Sequence, residues 1–492
     1  MKIAGCFLIF LFFLSCTQAQ LGVRYDPSMQ TQKNLQYFKP KGNLFVGDCM
    51  PFFRDGTFYF YWLLDSAHHR GLNGLGGHQW VLSTTRDLLS WKQYPIVLGI
   101  DEGWEKSICT GSVVFYKGRY YAFYATRLLE NGKVNEQLSY AISTDGIHFD
   151  KQKPNPFYTS APGYSKRNFR DPKVFIGQDG LFHLFVSSQQ ENPVMASADG
   201  TLVHLTSSDL EHWAVLDPVL TGQASVPECP DYFRWKGWYY LVYSDRSNTY
   251  YVKSKGPYGP WEAPRYQALS EEFANVVKTG AFSKDRRIAA AWIPSREDSL
   301  DDHDEIFGGN AVFRELGQEP DGTLSARFPE EMIPPTGPRL QASVFNDYLS
   351  RSLDTAGVEI AAFNGVGAAH VENMPLNYRI TMDMEPAGPN EEYGLLLRSS
   401  PKGQGGYRMN VEASAMRVSL GNTAILGVEG LTKPVKIDLI VTGDIMDVCI
   451  GGKRTLVNRG YEQKGNCLWF YAKHGKVRFT HIVIRPLLEP AD

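Results

Sequence analysis

The stretch YFRWKGWYYLVYS, residues 232–244, indicates the fold, because two aromatic-rich runs flank a Lys-Gly pair. Aromatic residues favour strands, and a glycine in the turn supplies the positive φ angle that a two-residue hairpin needs. The stretch is therefore predicted to be a β-hairpin.

The same hairpin pattern occurs five times along the chain. The other copies read PFFRDGTFYFYW from Pro51, VVFYKGRYYAFYA from Val113, VFIGQDGLFHLFVS from Val174 and AFSKDRRIAAAWI from Ala281. Four copies have a turn glycine, at Gly56, Gly118, Gly180 and Gly237, whereas the fifth has Asp285-Arg286. A shorter strand pattern follows the first four hairpins and ends at Trp91, Phe149, Trp213 and Trp261.

This repeat predicts the architecture. A unit of roughly 50 to 60 residues with about four strands has the size of a propeller blade, and blades bury their faces against one another. Five copies therefore predict an all-β fold built on a five-bladed β-propeller. A long β-sandwich with coincidental turn residues is the alternative.

The length of 492 residues and the hydrophobic content of 43% favour two or three domains. We expect the propeller at residues 43–334, after a lead-in at residues 21–42. The sequence PPTGP at residues 334–338 is incompatible with regular structure, which predicts a linker at residues 335–344. Alternating patterns beyond it predict a β-sandwich at residues 345–492. Its clearest strands are expected at Tyr378–Met384, Tyr393–Arg398, Tyr407–Val411, Val435–Val441 and Val477–Ile484.

Residues 1–20 have the pattern of a signal peptide, with Lys2 followed by an apolar run from Ile3 to Leu14. Leu14-Ser15-Cys16 is typical of the lipobox of a bacterial lipoprotein, whereas Thr17-Gln18-Ala19 suits ordinary signal peptidase. Both cleavages stay open, and the lipoprotein is slightly favoured. We expect secretion across the inner membrane to a periplasmic or outer-membrane lipoprotein location, with membrane attachment only through a lipid on Cys16.

The charge and composition favour a neutral ligand. The formal net charge is -3 and no long run of like charge occurs, which argues against nucleic acid as a partner. Aromatic residues reach 13%, which suits stacking on sugar rings. We expect an oligo- or polysaccharide substrate. The cysteines show no CxxC pair or zinc-like spacing, and nothing in the sequence requires a metal or an organic cofactor.

Three acids lie at similar distances from the turn glycines. Asp48 is eight residues before its glycine, whereas Asp171 and Glu228 are nine before theirs. Since equivalent repeats place equivalent offsets around the propeller axis, these carboxyl groups should meet at one end of the channel, where Thr110 supplies the matching position of the second blade. Crowded carboxylates raise the pKa of one member, and glycoside hydrolysis needs one protonated and one ionised acid. Solvated acids, or acids that bind a cation in the channel, are the alternative.

Two further acidic clusters are expected to be solvated loops with some chance of contacting substrate. They comprise Asp101, Glu102, Asp301, Asp302, Asp304 and Glu305.

Phe169-Arg170-Asp171-Pro172 and Glu228-Cys229 resemble the Arg-Asp-Pro and Glu-Cys motifs of glycoside hydrolase family 32, the β-fructofuranosidases. Residues 77–112 and 307–316 are similar to two more regions of that family, so that nearly the whole mature chain is covered. The resemblance implies retaining hydrolysis of terminal β-fructofuranosyl linkages in fructans or fructo-oligosaccharides. Asp48 would be the nucleophile, Glu228 the acid/base and Asp171 the transition-state stabiliser. The implied substrate-binding residues are Arg170, Trp62, His78, Trp80, Thr110 and Cys229.

The sequence departs from the family around Asp48. The family's first motif reads Asn-Asp-Pro-Asn-Gly, whereas here Gly47-Asp48-Cys49-Met50-Pro51 keeps only the acid. Trp62 replaces a glutamine, and Gly76 replaces a tryptophan. These changes remove polar groups that hold fructose. A family 43-like arabinofuranosidase or xylosidase, and a non-catalytic glycan-binding lipoprotein, therefore remain as alternatives.

Overall fold

The structure is a computed structural model that describes residues 22–27, 31–353 and 357–488. It confirms the predicted fold class, a five-bladed β-propeller followed by a β-sandwich. The predicted signal peptide, with Cys16, lies outside the described residues. Within the described ranges, no helix has the length and hydrophobicity needed to cross a bilayer.

Each blade is an antiparallel meander whose first strand is innermost. Blade I comprises β1 (Thr31–Lys33) on the outer edge, β2 (Leu44–Arg54), β3 (Thr57–Ser66), β4 (Gln79–Thr85) and β5 (Ser90–Leu98). Blade II comprises β6 (Ser107–Tyr116), β7 (Arg119–Glu130), β8 (Lys133–Ser143) and β9 (Asp150–Lys151). Blade III comprises β10 (Tyr164–Ile176), β11 (Phe182–Gln190), β12 (Gly200–Ser207) and β13 (Ala214–Gln223).

Blade IV comprises β14 (Glu228–Trp235), β15 (Trp238–Asp245) and β16 (Asn248–Ser254), and its outer edge is a bridge between Lys253 and Glu262. Blade V comprises β17 (Asn275–Ala281), β18 (Arg287–Arg296), β19 (Glu305–Gln318) and β20 (Leu324–Arg327). Among the described residues, the helical segments are α1 (Gly71–Gly74) and three 3-10 turns at Glu297–Ser299, Glu330–Met332 and Ala413–Ala415.

The five innermost strands close a ring, since β2 contacts β6, β6 contacts β10, β10 contacts β14, β14 contacts β17 and β17 contacts β2. All five predicted hairpins are confirmed. Three have two-residue turns in which both residues have positive φ, as at Asp55-Gly56. A separate hydrophobic core lies between each pair of neighbouring blades. Blade packing therefore fixes the inner strands around one axis.

The sandwich is formed by the strands after residue 343. They are β21 (Val344–Tyr348), β22 (Ser350–Leu353), β23 (Gly357–Val371), β24 (Tyr378–Pro386), β25 (Glu392–Ser399), β26 (Tyr407–Glu412), β27 (Arg417–Leu420), β28 (Thr423–Ile425), β29 (Val435–Thr442), β30 (Ile445–Ile450), β31 (Arg454–Arg459) and β32 (Cys467–Pro486). The five strands predicted here are confirmed as β24, β25, β26, β29 and β32. The long β32 pairs with β23, β24 and β25 and so connects the strands of the sandwich, which enclose a hydrophobic core separate from those of the propeller.

A buried charge network joins the two parts of the molecule. Arg314 of β19 donates to Asp447 of β30 at 2.8 and 2.9 Å and to Glu271 at 3.1 Å. Tyr37 of the lead-in donates to the same Asp447 at 2.8 Å. Burial raises the pKa of Asp447 to about 6, although Arg314 opposes the shift. The sandwich therefore packs against blade V through paired charges.

Candidate active site

The innermost strand of every blade has one extra residue at the same level. Two residues of the inner strand oppose one of its partner between positions 46 and 49, 108 and 111, 170 and 173, 228 and 231, and 275 and 278. Such bulges bend a strand and redirect its side chains, and they are enriched beside active sites. Asp171, Cys229 and Val276 have positive φ at these bulges, a conformation that non-glycine residues rarely adopt. The five bulges form one wall of a cavity.

The three acids occupy successive positions at this level. Asp48 is the second bulge residue of its strand, Asp171 is the first, and Glu228 immediately precedes the bulge. The expectation that their offsets from the turn glycines make them equivalent is therefore wrong in detail. Hairpin lengths differ, because the turn after β10 has five residues, whereas the turns after β2 and β14 have two. The acids still converge, since the extra residues lie at one height.

The cavity has a volume of about 330 Å³ and includes all three acids. Four of the six predicted substrate-binding residues also line it: His78, Thr110, Arg170 and Cys229. The cavity wall also includes Leu63, His69, Arg127, Glu136, Asn275, Trp292, Pro294, Glu305 and Phe307.

Asp48 is buried and held from three blades. The hydroxyl of Thr110 donates to Oδ2 in a short hydrogen bond, and the indole N–H of Trp292 donates to Oδ1 at 3.0 Å. The thiol of Cys229 lies 3.6 Å from Oδ2. Each oxygen thus has a donor, which fixes the plane of the carboxyl group.

Asp171 lies beside the same thiol. Its Oδ2 accepts from the backbone N–H of Cys229 at 3.1 Å and from the Cys229 thiol at 3.4 Å. Burial raises the pKa of Asp171 to about 7; Arg170 opposes the shift, whereas Glu136, Glu228 and Asp48 add to it. Asp171 therefore keeps its proton up to nearly neutral pH.

Glu228 is the most exposed of the three acids, with 38% of its side chain accessible. Arg170 Nη2 donates to its Oε1 at 2.7 Å, and Nη1 of the same guanidinium lies 3.3 Å from Glu136. Burial lowers the pKa of Arg170, but the carboxylates of Glu136, Asp171 and Glu228 raise it on balance. The guanidinium therefore remains charged and holds Glu228 at the mouth of the cavity.

Trp62 and Trp80 are placed outside the cavity, which corrects the expectation that they contact substrate. Both side chains are fully buried. The Trp62 ring packs edge-on against Tyr25 and Phe38, and Trp80 donates to the carbonyl of Cys109 at 2.8 Å. Successive strand residues face opposite sides, so it is Leu63 that lines the cavity.

His78 lines the cavity, and its ring is held in place by Asp65 and Phe307. Its Nε2 lies 3.0 Å from Asp65, and its ring stacks on Phe307 with centroids 4.9 Å apart.

Asp101 and Glu102, expected to be solvated, pair with Lys151 and Lys153 away from the cavity.

Sequence reasoning missed several cavity residues. Arg127 and Glu136 face each other across the β7–β8 hairpin, bonded at 2.8 Å, and His69 contacts Arg127 at 2.7 Å. The sequence feature that could have identified Arg127 and Glu136 is a pair of opposite charges at facing positions of one hairpin. Trp292 lies opposite Asn275 in the fifth hairpin, where the absent turn glycine obscured the register. Glu305, treated as part of a solvated acidic loop, lies in the cavity wall.

Comparison with known proteins agrees with this geometry. Residues 38–319 match the family described as Glycosyl hydrolases family 32 N-terminal domain. The chain is similar to sucrose-6-phosphate hydrolase of Escherichia coli, at 26% identity over 299 residues, covering 56% of this chain and 60% of that protein. It is also similar to levanase of Bacillus subtilis, at 28% identity over 223 residues, covering 42% and 29%. The match thus spans less than two thirds of these curated relatives.

Solved structures share the fold over almost the whole chain. Exo-inulinase from Aspergillus awamori superposes with a TM-score of 0.69 at 13% identity, covering 93% of this chain and 98% of that one. Sucrose-6-phosphate hydrolase from Lactobacillus gasseri gives 0.67 at 13% identity, covering 94% of each. At such low identity the likeness concerns the fold.

Proposed function

The chain belongs to glycosyl hydrolase family 32, and on that premise we propose that it is a glycosidase that removes terminal β-fructofuranosyl units from fructans or fructo-oligosaccharides. The observation that carries the proposal is the convergence of Asp48, Asp171 and Glu228 on one cavity. We assign this chemistry to a catalytic domain at residues 43–334, with the sandwich at residues 345–492 joined by a linker at 335–344.

Asp48 is assigned as the nucleophile. Donors from Thr110 and Trp292 fix its orientation deep in the cavity. A fixed carboxylate can attack a sugar carbon without first reorganising, which lowers the entropy cost of the reaction.

Glu228 is assigned as the acid/base. It lies at the mouth, where a leaving group can depart and a water molecule can enter. In a retaining reaction it protonates the glycosidic oxygen while Asp48 bonds to the anomeric carbon, and the fructosyl–oxygen bond breaks. Glu228 then takes a proton from water, whose oxygen attacks the anomeric carbon, and the bond to Asp48 breaks to release fructose.

Asp171 is assigned as the transition-state stabiliser. With its pKa raised to about 7, it can donate to or accept from sugar hydroxyls near neutral pH. Hydrogen bonds from a carboxyl group to the sugar strengthen as charge develops on the ring. The Arg170 guanidinium lies 3.6 Å from Asp171 and 2.7 Å from Glu228, so it orients both carboxyl groups.

The leaving group is assigned to an adjoining groove. A second cavity of about 410 Å³ shares Arg127, Glu136, Arg170 and Glu228 with the first and continues to Val134, Arg167 and Asn168. Because Glu228 lies on both cavities, a glycosidic oxygen next to Glu228 would have fructose on one side and the remaining saccharide on the other.

We also propose export with lipid attachment at Cys16, from the leader pattern at residues 1–20. The mass of the mature N-terminus tests this. A diacylglyceryl adduct on Cys16 is expected, and an unmodified start at Gln20 would exclude the anchor.

The activity test uses sucrose, inulin, levan and short fructans beside arabinan and xylan fragments. We expect fructose release by the wild type and its loss in both Asp48→Asn and Glu228→Gln. Asp302→Asn, which changes an exposed carboxylate, is the matched control and should stay active. Release of arabinose or xylose instead would support the family 43-like alternative, and release of no sugar would overturn the hydrolytic assignment.

A further inference from the structure

Glu305 is a cavity-lining acid that the proposed reaction does not use. It begins β19 and lies in the wall beside Ile306 and Phe307. Its side chain interacts with Asn275 and Ser247. Within the described residues, however, its buried Oε2 has no hydrogen-bond partner. A buried oxygen without a donor is costly, and Oε2 has almost no accessible surface, so a turn of the Glu305 side chain towards a ligand hydroxyl group would give it the donor that it lacks.

The surroundings of Glu305 bring its pKa close to neutral pH. Burial raises its pKa to about 7, Glu272 adds to the shift and Arg296 opposes it. A carboxyl group in this state can either donate to or accept from a hydroxyl group. It therefore suits a neutral polyol better than a cation.

The loop that carries Glu305 is held by the sandwich. Asp301 accepts from the hydroxyl of Tyr407 at 2.6 Å and from the backbone N–H of Tyr461 at 2.7 Å. The backbone N–H of Arg296, which pairs with Glu305 across β18 and β19, donates to the hydroxyl of Tyr461 at 3.3 Å.

A second sandwich contact lies under the same wall. Arg459 of β31 donates to the carbonyl of Pro294 at 2.5 Å and to the side chain of Asn310 at 2.5 Å. Both ends of the β18–β19 connection thus rest on sandwich side chains. The sandwich is therefore part of the structure that shapes the cavity.

From this arrangement we infer that Glu305 binds a hydroxyl group of the sugar in the cavity, and that Tyr407 of the sandwich acts as a positioning residue by holding Asp301 and so the Glu305 loop. The inference rests on the proposed function. Blade I lacks polar groups where Gly47 and the buried Trp62 stand, whereas the adjoining blade V presents a carboxyl group in the cavity wall. We therefore expect blade V to supply the polar contact with the sugar that blade I lacks.

The test compares KM and kcat on the fructoside that the wild type cleaves best. Loss of a hydrogen bond from the bound sugar to a carboxyl group should raise KM about 10-fold in Glu305→Ala, with a smaller change in kcat. Glu305→Gln keeps an acceptor oxygen and should recover most of the affinity. Tyr407→Phe should raise KM by roughly 3-fold without changing kcat, because it loosens the loop only.

Two controls separate these effects from general damage. Tyr393→Phe removes a hydroxyl group that donates to the carbonyl of Leu431 inside the sandwich, and Asp302→Asn changes an exposed acid of the same loop. Both should keep the wild-type KM. Thermal unfolding of each variant reports whether it is folded. An unchanged KM in folded Glu305→Ala overturns the inference.

Calorimetric titration separates this inference from the proposed function. Fructose, arabinose, xylose and glucose are titrated into Glu228→Gln with and without Glu305→Ala. If the wild type cleaves no fructoside but one sugar binds more weakly when Glu305 is replaced, the proposed function fails and the inference stands. Equal binding by both proteins overturns the inference, and binding of none of the sugars together with no cleavage of any fructoside overturns both.

Discussion

The indole N–H of Trp292 in blade V donates to Oδ1 of Asp48 in blade I at 3.0 Å. This hydrogen bond joins the last blade to the first, and Thr110 of blade II holds the other oxygen of the same carboxyl group. The orientation of Asp48 therefore depends on closure of the propeller ring and not on its own hairpin alone.

Trp292→Phe should remove this donor while keeping an aromatic ring against Phe307. Because a hydrogen bond to a charged group contributes on the order of 1.5–3 kcal/mol, we expect kcat/KM to fall at least about 10-fold. Steady-state kinetics on the best fructoside measures this. Trp261→Phe is the control, since it deletes an indole donor that bonds to the carbonyl of Val219 at the outer edge of the propeller. Equal kinetics for wild type and Trp292→Phe would show that the bond does not orient Asp48.

Asp171 predicts a specific dependence of stability on pH. Its pKa is about 7 in the folded protein and near 3.8 when unfolded, so the folded state holds a proton that the unfolded state releases. This contribution is complete below about pH 4 and is lost as the pH rises towards 7, on the order of a few kcal/mol. Asp171→Asn cannot ionise and should lack the decline.

The comparison uses denaturant unfolding of wild type and Asp171→Asn at pH 4.5, 6 and 7.5. Asp447, whose pKa is also raised, is present in both proteins and cancels in the difference. Parallel stability curves would contradict the raised pKa of Asp171.

A retaining reaction predicts the anomer of the product. Methanol that replaces water in the second step should give methyl β-fructofuranoside, because two displacements restore the starting configuration. Proton and carbon NMR of the methanolysis product distinguishes it from the α anomer. Since methyl fructosides do not mutarotate, the observed anomer reports the enzymatic step. The α anomer would assign inversion and remove the nucleophile role from Asp48.

The buried network of Arg314, Asp447 and Glu271 predicts strong coupling between propeller and sandwich. Arg314→Met leaves two buried carboxyl groups without their cation, which should lower the free energy of unfolding by about 3–5 kcal/mol. Arg265→Met, which breaks exposed pairs with Asp321 of the propeller and Glu429 of the sandwich, should cost at most about 1 kcal/mol. Urea unfolding of both variants provides the measurement. Similar losses in the two variants would show that the buried network does not couple the domains.

Local sequence chemistry predicted the hairpins well, because a glycine such as Gly56 with its positive φ terminates two strands regardless of the rest of the chain. The acids Asp48, Asp171 and Glu228 were found for the same reason, since they lie eight or nine residues before the turn glycines. The positions of the three acids relative to the strand bulges were not predictable. A bulge is defined by the pairing of two strands and leaves no recognisable pattern in the sequence of either strand.

The remaining errors have the same origin. Whether Trp62 or Leu63 faces the cavity depends on strand register, and a shift of one residue reverses the two faces. Trp292 and Glu305 reach the site only because the ring closes and the sandwich supports the β18–β19 loop, contacts made by residues far apart in the sequence. Long-range contacts of this kind have no signature in a single hairpin.

The five bulges at one level also separate two demands on each inner strand. The residues between bulge and turn supply apolar surface that neighbouring blades share, whereas each bulge contributes at least one residue to the cavity wall: Asp48, Cys109, Thr110, Asp171, Cys229 and Val276. An exchange at a bulge residue that is not one of the assigned catalytic acids, such as Cys109, therefore changes the cavity wall directly. These non-catalytic positions are therefore the natural target for a focused mutant library.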